Sequence, residues 1–197
     1  GGNQTGIHKF AYQALIEYLG ITDEVTIMDP VQQLAKPCEA VLERFHVDTR
    51  YVAAGAAADW TGGIVEADRD GRHWRDLVDE WGVCWSMPEE APYYMDITLH
   101  PLADATIDDV RAYPFPKGDD PGRFEGLRER ALELRDETPY AVVSGISGVT
   151  YETCWYLRGL EQWFMDMLTN EPFCEALLDQ TCNYWLDFFP VFLAEVG

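Results

Sequence analysis

Apolar positions recur at helical spacing over residues 8–19, where Ala11, Leu15 and Tyr18 stand at i, i+4 and i+7. Phe10 and Ala14 widen that stripe, and Gly20 follows as a residue suited to a left-handed helix end. The glycine-rich segment GGNQTG comes first, so the chain opens like the loop and helix of a βα unit. Asp29 and Pro30 read as the N-cap and first residue of the next helix. Val31, Leu34, Ala35, Cys38, Val41, Leu42 and Phe45 keep its period, and Pro37 divides it into two short helices.

The runs TRYVAA (49–54) and YAVV (140–143) show no alternation of polar and apolar residues. That is the pattern of strands buried on both faces, as in a parallel sheet. The second run leads into Ser144, Gly145, Ser147 and Gly148, small residues that let the backbone turn sharply. Thr150 is placed to cap the helix that follows, with Glu152 in its first turn. A strand, a small-residue loop and a helix make half a βαβ unit, and such loops either bind ligands or serve as tight connections. Between the two strands, residues 59–100 carry the turn signals Gly62-Gly63 and Asp70-Gly71 and crowd together Trp60, Trp74, Trp81 and Trp85. They predict a β-rich insertion with hairpins.

Thr106 to Asp109 has capping-box spacing and opens a short helix. Residues 122–136 predict a charged outer helix, and 160–168 a further one. Asn170 is placed to cap the last helix, in which Pro190 predicts an end or a kink. Parallel strands separated by helices point to an α/β fold, an open sheet or a (β/α)8 barrel.

Composition narrows the partners. The chain has 197 residues, 47% hydrophobic, enough to bury a core as one domain. Its formal charge of −21 argues against nucleic acid and against anionic membrane surfaces. No apolar run reaches the roughly 20 residues of a membrane helix, and there is no signal-peptide pattern, so a cytoplasmic location is expected. The acidity fits either a high-salt habitat or an ordinary acidic protein. Five cysteines, an odd number without CxxC spacing, suit free thiols in a reducing compartment.

Four stretches carry a resemblance: GGNQTGIHKFAYQALIEYLG, DPVQQLAKPCEAVLERFHVDTRYV, HPLADATIDDVRAYPFPKGDDPGR and YAVVSGISGVTYETCWYLRGLEQWFMDML. Together they resemble the uroporphyrinogen decarboxylase family. The resemblance implies a (β/α)8 barrel, here a partial one with the insertion at 59–100 over its mouth, and residues 1–197 as a fragment of one barrel domain. It implies an enzyme acting on a tetrapyrrole or a tetrapyrrole-bound substrate, either a cofactor-free lyase or a corrinoid-dependent methyltransferase carrying zinc. The partner would be a small tetrapyrrole or a corrinoid protein.

The family's motifs carry over unevenly. The arginine-rich substrate segment of the decarboxylases has no counterpart here. Gly55 stands at the position of their key aspartate, and Trp155 at that of their active-site tyrosine. The zinc-binding His-x-Cys of the methyltransferases does not occur within residues 1–197. Standard uroporphyrinogen decarboxylation is therefore not expected. A zinc-dependent corrinoid:thiol methyltransferase and a non-catalytic tetrapyrrole-binding relative are the alternatives.

The substrate-binding candidates are Asn3, Thr5 and His8 at the first loop, Asp59 near the aspartate position, Ser144 and Gly145 after the second strand, and Tyr151 and Trp155 one helical turn apart. Each also has a plain structural role open to it, as loop, turn or core. His46, His73 and His100 lack metal-ligand spacing and are read as structural. A barrel fragment would leave the helices at 8–19 and 171–195 without a sheet to cover them, so the isolated segment is expected not to be a stable monomer.

Overall fold

The computed structural model describes residues 6–145 and 149–197. Its elements run in the order β1 (Ile7–His8), α1 (Lys9–Leu19), β2 (Thr26–Asp29), β3 (Leu34–Lys36), α2 (Glu39–Arg44), β4 (Thr49–Tyr51), β5 (Ile64–Arg69), β6 (Arg72–Val78), β7 (Cys84–Pro88) and β8 (Asp96–Leu99). Then follow α3 (Ile107–Ala112), a 3-10 turn at Pro121–Phe124, α4 (Leu127–Glu137), β9 (Ala141–Val143), α5 (Thr150–Arg158), α6 (Leu160–Thr169) and α7 (Glu171–Val196).

The described strands form three separate sheets, and the expected (β/α)8 barrel is not there. The first sheet is antiparallel in the order β1-β3-β2, the second is the parallel pair β4-β9, and the third is the antiparallel meander β5-β6-β7-β8. Thus the two runs without alternation do pair in parallel, but with each other alone among the described strands. Each contributes three residues, and Ala141 is exposed rather than enclosed. Barrel closure needs every strand flanked on both sides, which a two-stranded pair does not supply.

The segment after Asp29 departs furthest from its sequence reading. Asp29 Oδ1 accepts the backbone N–H groups of Val31 and Gln32, both at 2.9 Å, which makes a turn instead of a helix start. Gln33 then has a φ of 55°, incompatible with a continuing right-handed helix. Leu34 and Ala35 are buried as strand residues between β1 and β2. Their apolar neighbours satisfy helical spacing and a short buried strand alike. The α1 helix packs on this sheet through Tyr12 and Ile16, only 1% and 2% exposed, and not through the expected stripe, of which Phe10, Ala11, Ala14 and Tyr18 are exposed.

The insertion at 59–100 holds the meander. Its first hairpin turns at Asp70 and Gly71, both with positive φ, as a two-residue loop between Arg69 and Arg72 requires. Thr106 closes its capping box with Asp109. One cap reading fails, since Val149 and not Thr150 is the N-cap of α5, while Asn170 is the N-cap of α7 as expected, without a side-chain cap bond.

Pro190 lies inside α7 and does not end it. The carbonyl it frees belongs to Leu186, a residue 69% exposed, so water can satisfy it. Phe173, Leu177, Tyr184, Phe188 and Phe192 of this helix are buried against α3, α4, α5 and α6. The core therefore lies along α7, with the meander on one flank.

Candidate functional site

A cavity of about 530 Å³ opens where the β6-β7 turn meets α5 and α7. Asp79, Trp81 and Trp85 come from the turn and β7, Glu152, Trp155 and Tyr156 from α5, and Tyr184 and Trp185 from α7. Asp29 closes one side. The helical period puts Glu152, Trp155 and Tyr156 on adjacent positions of one face of α5. The lining carries three carboxylates and no Lys, Arg or His.

Two of those carboxylates are already engaged. Asp79 Oδ1 accepts the backbone N–H groups of Trp81 and Val83, each at 3.0 Å, while Oδ2 accepts Trp85 Nε1 at 2.8 Å. It holds the turn in shape and fixes the Trp85 indole. Burial raises its carboxyl above the ordinary range, against the pull of these three donors. Asp29 is occupied by its own turn. Glu152 is exposed at the rim, beside the Tyr156 hydroxyl.

The aromatic walls are braced from behind. Trp155 and Tyr156 meet edge to face at 4.2 Å, Trp85 and Tyr156 at 5.1 Å, and Trp81 and Tyr184 at 4.8 Å between ring centroids. His100 Nδ1 bonds the Tyr156 carbonyl at 2.7 Å, holding that turn of α5. Burial raises the Tyr156 phenol, and the neighbouring Glu152 charge adds to the shift. The Tyr184 phenol is pushed up to about 12 by burial, so both hydroxyls keep their protons at neutral pH. The Trp185 indole N–H is buried without a partner among the described residues.

Of the residues expected at a site, this cavity gathers Trp155 alone. Tyr151, on the same helix, is 46% exposed and lies by Trp163 at 6.2 Å. Asp59 is exposed in a turn. Ser144 and Gly145 are exposed after β9, where the Gly145 carbonyl accepts the Tyr51 hydroxyl at 2.9 Å. His8 caps α1: its Nδ1 accepts the Phe10 N–H at 3.3 Å, so Nε2 carries the proton toward the Tyr93 carbonyl at 3.0 Å. Asn3 and Thr5 lie outside the described residues. Sequence reasoning missed Asp79, Glu152, Tyr156, Tyr184 and Trp185. The motif DEWGVCW was a signal, two tryptophans and two acids in one turn, but such a stretch is more often a packed hairpin.

All five cysteines are free. Among the described residues no group of three or more His, Cys, Asp or Glu is placed to hold a metal ion. No helix among them is long and apolar enough to cross a membrane. Compared with protein-family models, with curated proteins and with solved structures, the chain matches none.

Proposed function

We propose that the chain is part of an enzyme that acts on a tetrapyrrole-bound substrate, and that the macrocycle is a corrinoid instead of uroporphyrinogen. The reading rests on the sequence resemblance and on the cavity, not on the fold. The observation that carries it is a lining of six aromatic residues with carboxylates and no basic group. Flat rings stack on such walls. A porphyrinogen rich in carboxylates would meet like charge there and no cation to offset it. A corrinoid presents carboxamides at its edge, whose N–H groups donate to a carboxylate such as Glu152. The cavity falls within the size range of small-molecule sites, so one edge of the macrocycle enters it. The described residues supply binding and orientation. They offer zinc no ligand cluster, and no chemical step is assigned to it.

The test is equilibrium titration of the protein with hydroxocobalamin and, separately, with uroporphyrin, followed by quenching of tryptophan fluorescence. Hydroxocobalamin should bind and uroporphyrin should not. Glu152→Gln should weaken hydroxocobalamin about tenfold, the scale of one charge-assisted hydrogen bond. Preference for uroporphyrin, or release of carbon dioxide from uroporphyrinogen, overturns the proposal. Binding of methylcobalamin without transfer of its methyl group to an added thiol would make the chain a binding relative.

A further inference from the structure

A second cavity, of about 580 Å³, lies on the far side of the parallel pair. It is lined by Thr49, Arg50, Tyr51, Val52 and Ala53 in unbroken succession. Side chains alternate along a strand, so a cavity against one face would touch every second residue. Contact with five in a row places this cavity along the edge of β4. The opposite wall includes Thr26, Met28 and Lys36, which share one face of the β1-β3-β2 sheet.

The hydrogen-bond pattern shows what that edge offers. The Val52 N–H donates to the Val143 carbonyl and the Ala141 N–H to the Asp48 carbonyl, both at 2.9 Å. Asp48, Arg50 and Val52 therefore turn their backbone groups toward β9. Thr49, Tyr51 and Ala53 turn theirs the other way, into the cavity. The Thr49 carbonyl accepts Arg50 Nη1 at 2.8 Å. Among the described residues no strand pairs with the groups of Tyr51 and Ala53.

We propose that this cavity is a docking groove for an extended polypeptide segment, which adds to β4 as a third strand through the Tyr51 N–H and C=O and the Ala53 N–H. Backbone complementarity selects a strand as the occupant. An unpaired ladder beside a cavity wants alternating donors and acceptors at strand spacing, which a helix or a compact ligand does not present. A two-stranded parallel sheet is marginal by itself, so addition of a strand stabilises both partners. Met28 and Leu42 offer apolar contact, and the charges of the lining are balanced, Lys36, Arg50 and Arg130 against Glu24, Glu39 and Glu125. The segment is accordingly apolar at alternate positions, with uncharged polar residues between.

Amide hydrogen exchange, read residue by residue by NMR, tests this with the probe peptide acetyl-Val-Thr-Val-Thr-Val-Thr-Val-amide. In the free protein the Tyr51 and Ala53 amides should exchange faster than those of Arg50 and Val52. The peptide should slow Tyr51 and Ala53 about tenfold or more and leave Arg50 and Val52 unchanged. The same peptide N-methylated at alternate residues should lose the effect. Full protection of Tyr51 and Ala53 in the free protein overturns the proposal, as does peptide binding that leaves them unprotected. Protection that grows with protein concentration in the absence of peptide assigns the edge to a second copy and also overturns it.

Discussion

The body around α7 and the parallel pair β4-β9 each pair a buried arginine internally, Arg158 in one and Arg50 in the other, but differ in the backbone edge they leave open. In the body, Arg158 is buried at the end of α5 and spends its donors internally. It bonds Asp166 at 2.6 Å and the carbonyls of Leu102, Ala103 and Ala105 at 2.8, 2.8 and 3.1 Å. Its guanidinium also lies over Phe173 at 4.1 Å. Arg123 likewise bonds Glu80 and the Lys117 carbonyl. Arg158 thus ties α5 and α6 to the segment before α3, and Arg123, which also lies over Tyr184 of α7, ties the 3-10 turn to the β6-β7 turn. The parallel pair leaves the outer edge of β4 facing a cavity. The body leaves single indole N–H groups, Trp163 and Trp185, without a partner among the described residues, whereas the parallel pair leaves a strand edge open to something added.

The sharpest break in the comparison is Arg158→Met. It leaves Asp166, only 4% exposed, with Gln162 as its remaining side-chain donor, and should cost about 3–5 kcal/mol in denaturant unfolding. Adding Asp166→Leu should recover part of the loss, since the three carbonyls still lack their donor. An unchanged unfolding midpoint in the single variant would show that the pair is not buried as described.

Proline scanning of β4 comes next in size. Val52→Pro removes a ladder bond to Val143 and should cost about 3 kcal/mol, while Ala53→Pro, on the outward edge, should cost about 1 or less. Equal costs would refute the assignment of inward and outward residues.

Asp79→Asn turns an amide N–H toward the Trp85 indole N–H or leaves that indole unpaired, and should cost about 1–3 kcal/mol. The pH dependence has a definite sign. Burial raises the folded carboxyl above its unfolded value. Protonated Asp79 therefore favours folding in full below the ordinary Asp value of about 4, and that contribution is lost as pH climbs through the raised value. The asparagine variant should lack this fall. Urea midpoints for both proteins across that range decide it, and parallel curves would remove Asp79 as the cause.

Much of the local structure was legible in the sequence. The helix expected at 8–19 forms as α1, though on Tyr12 and Ile16 and not on the expected stripe, Gly20 ends it with a φ of 68°, and Thr106 with Asp109 closes a capping box. Asp70-Gly71 turns a hairpin. Each of these depends on residues within a few positions of one another, so the physics that decides them is contained in a short stretch of chain. TRYVAA and YAVV also read correctly as strands that pair in parallel.

What the sequence could not contain was the number of neighbours each strand receives. Unalternating runs imply burial, and burial suggested a many-stranded barrel. The tertiary structure instead packs Val52, just past β4, and Val142 of β9 against Phe124 of the 3-10 turn, Leu127 of α4 and Phe188 of α7, and leaves two described strands in the sheet. Residues 29–36 were undetermined for a related reason. Leu34 and Ala35 fit a helix or a strand equally, and the choice fell to Gln33 at positive φ and to the edges of β1 and β2. The cavity was decided the same way. Asp79, Glu152 and Trp185 are far apart in sequence, and only the packing of the turn against α5 and α7 brings them to one site. Short-range hydrogen bonding and side-chain period act through the chain itself, whereas burial depends on what arrives from elsewhere in it.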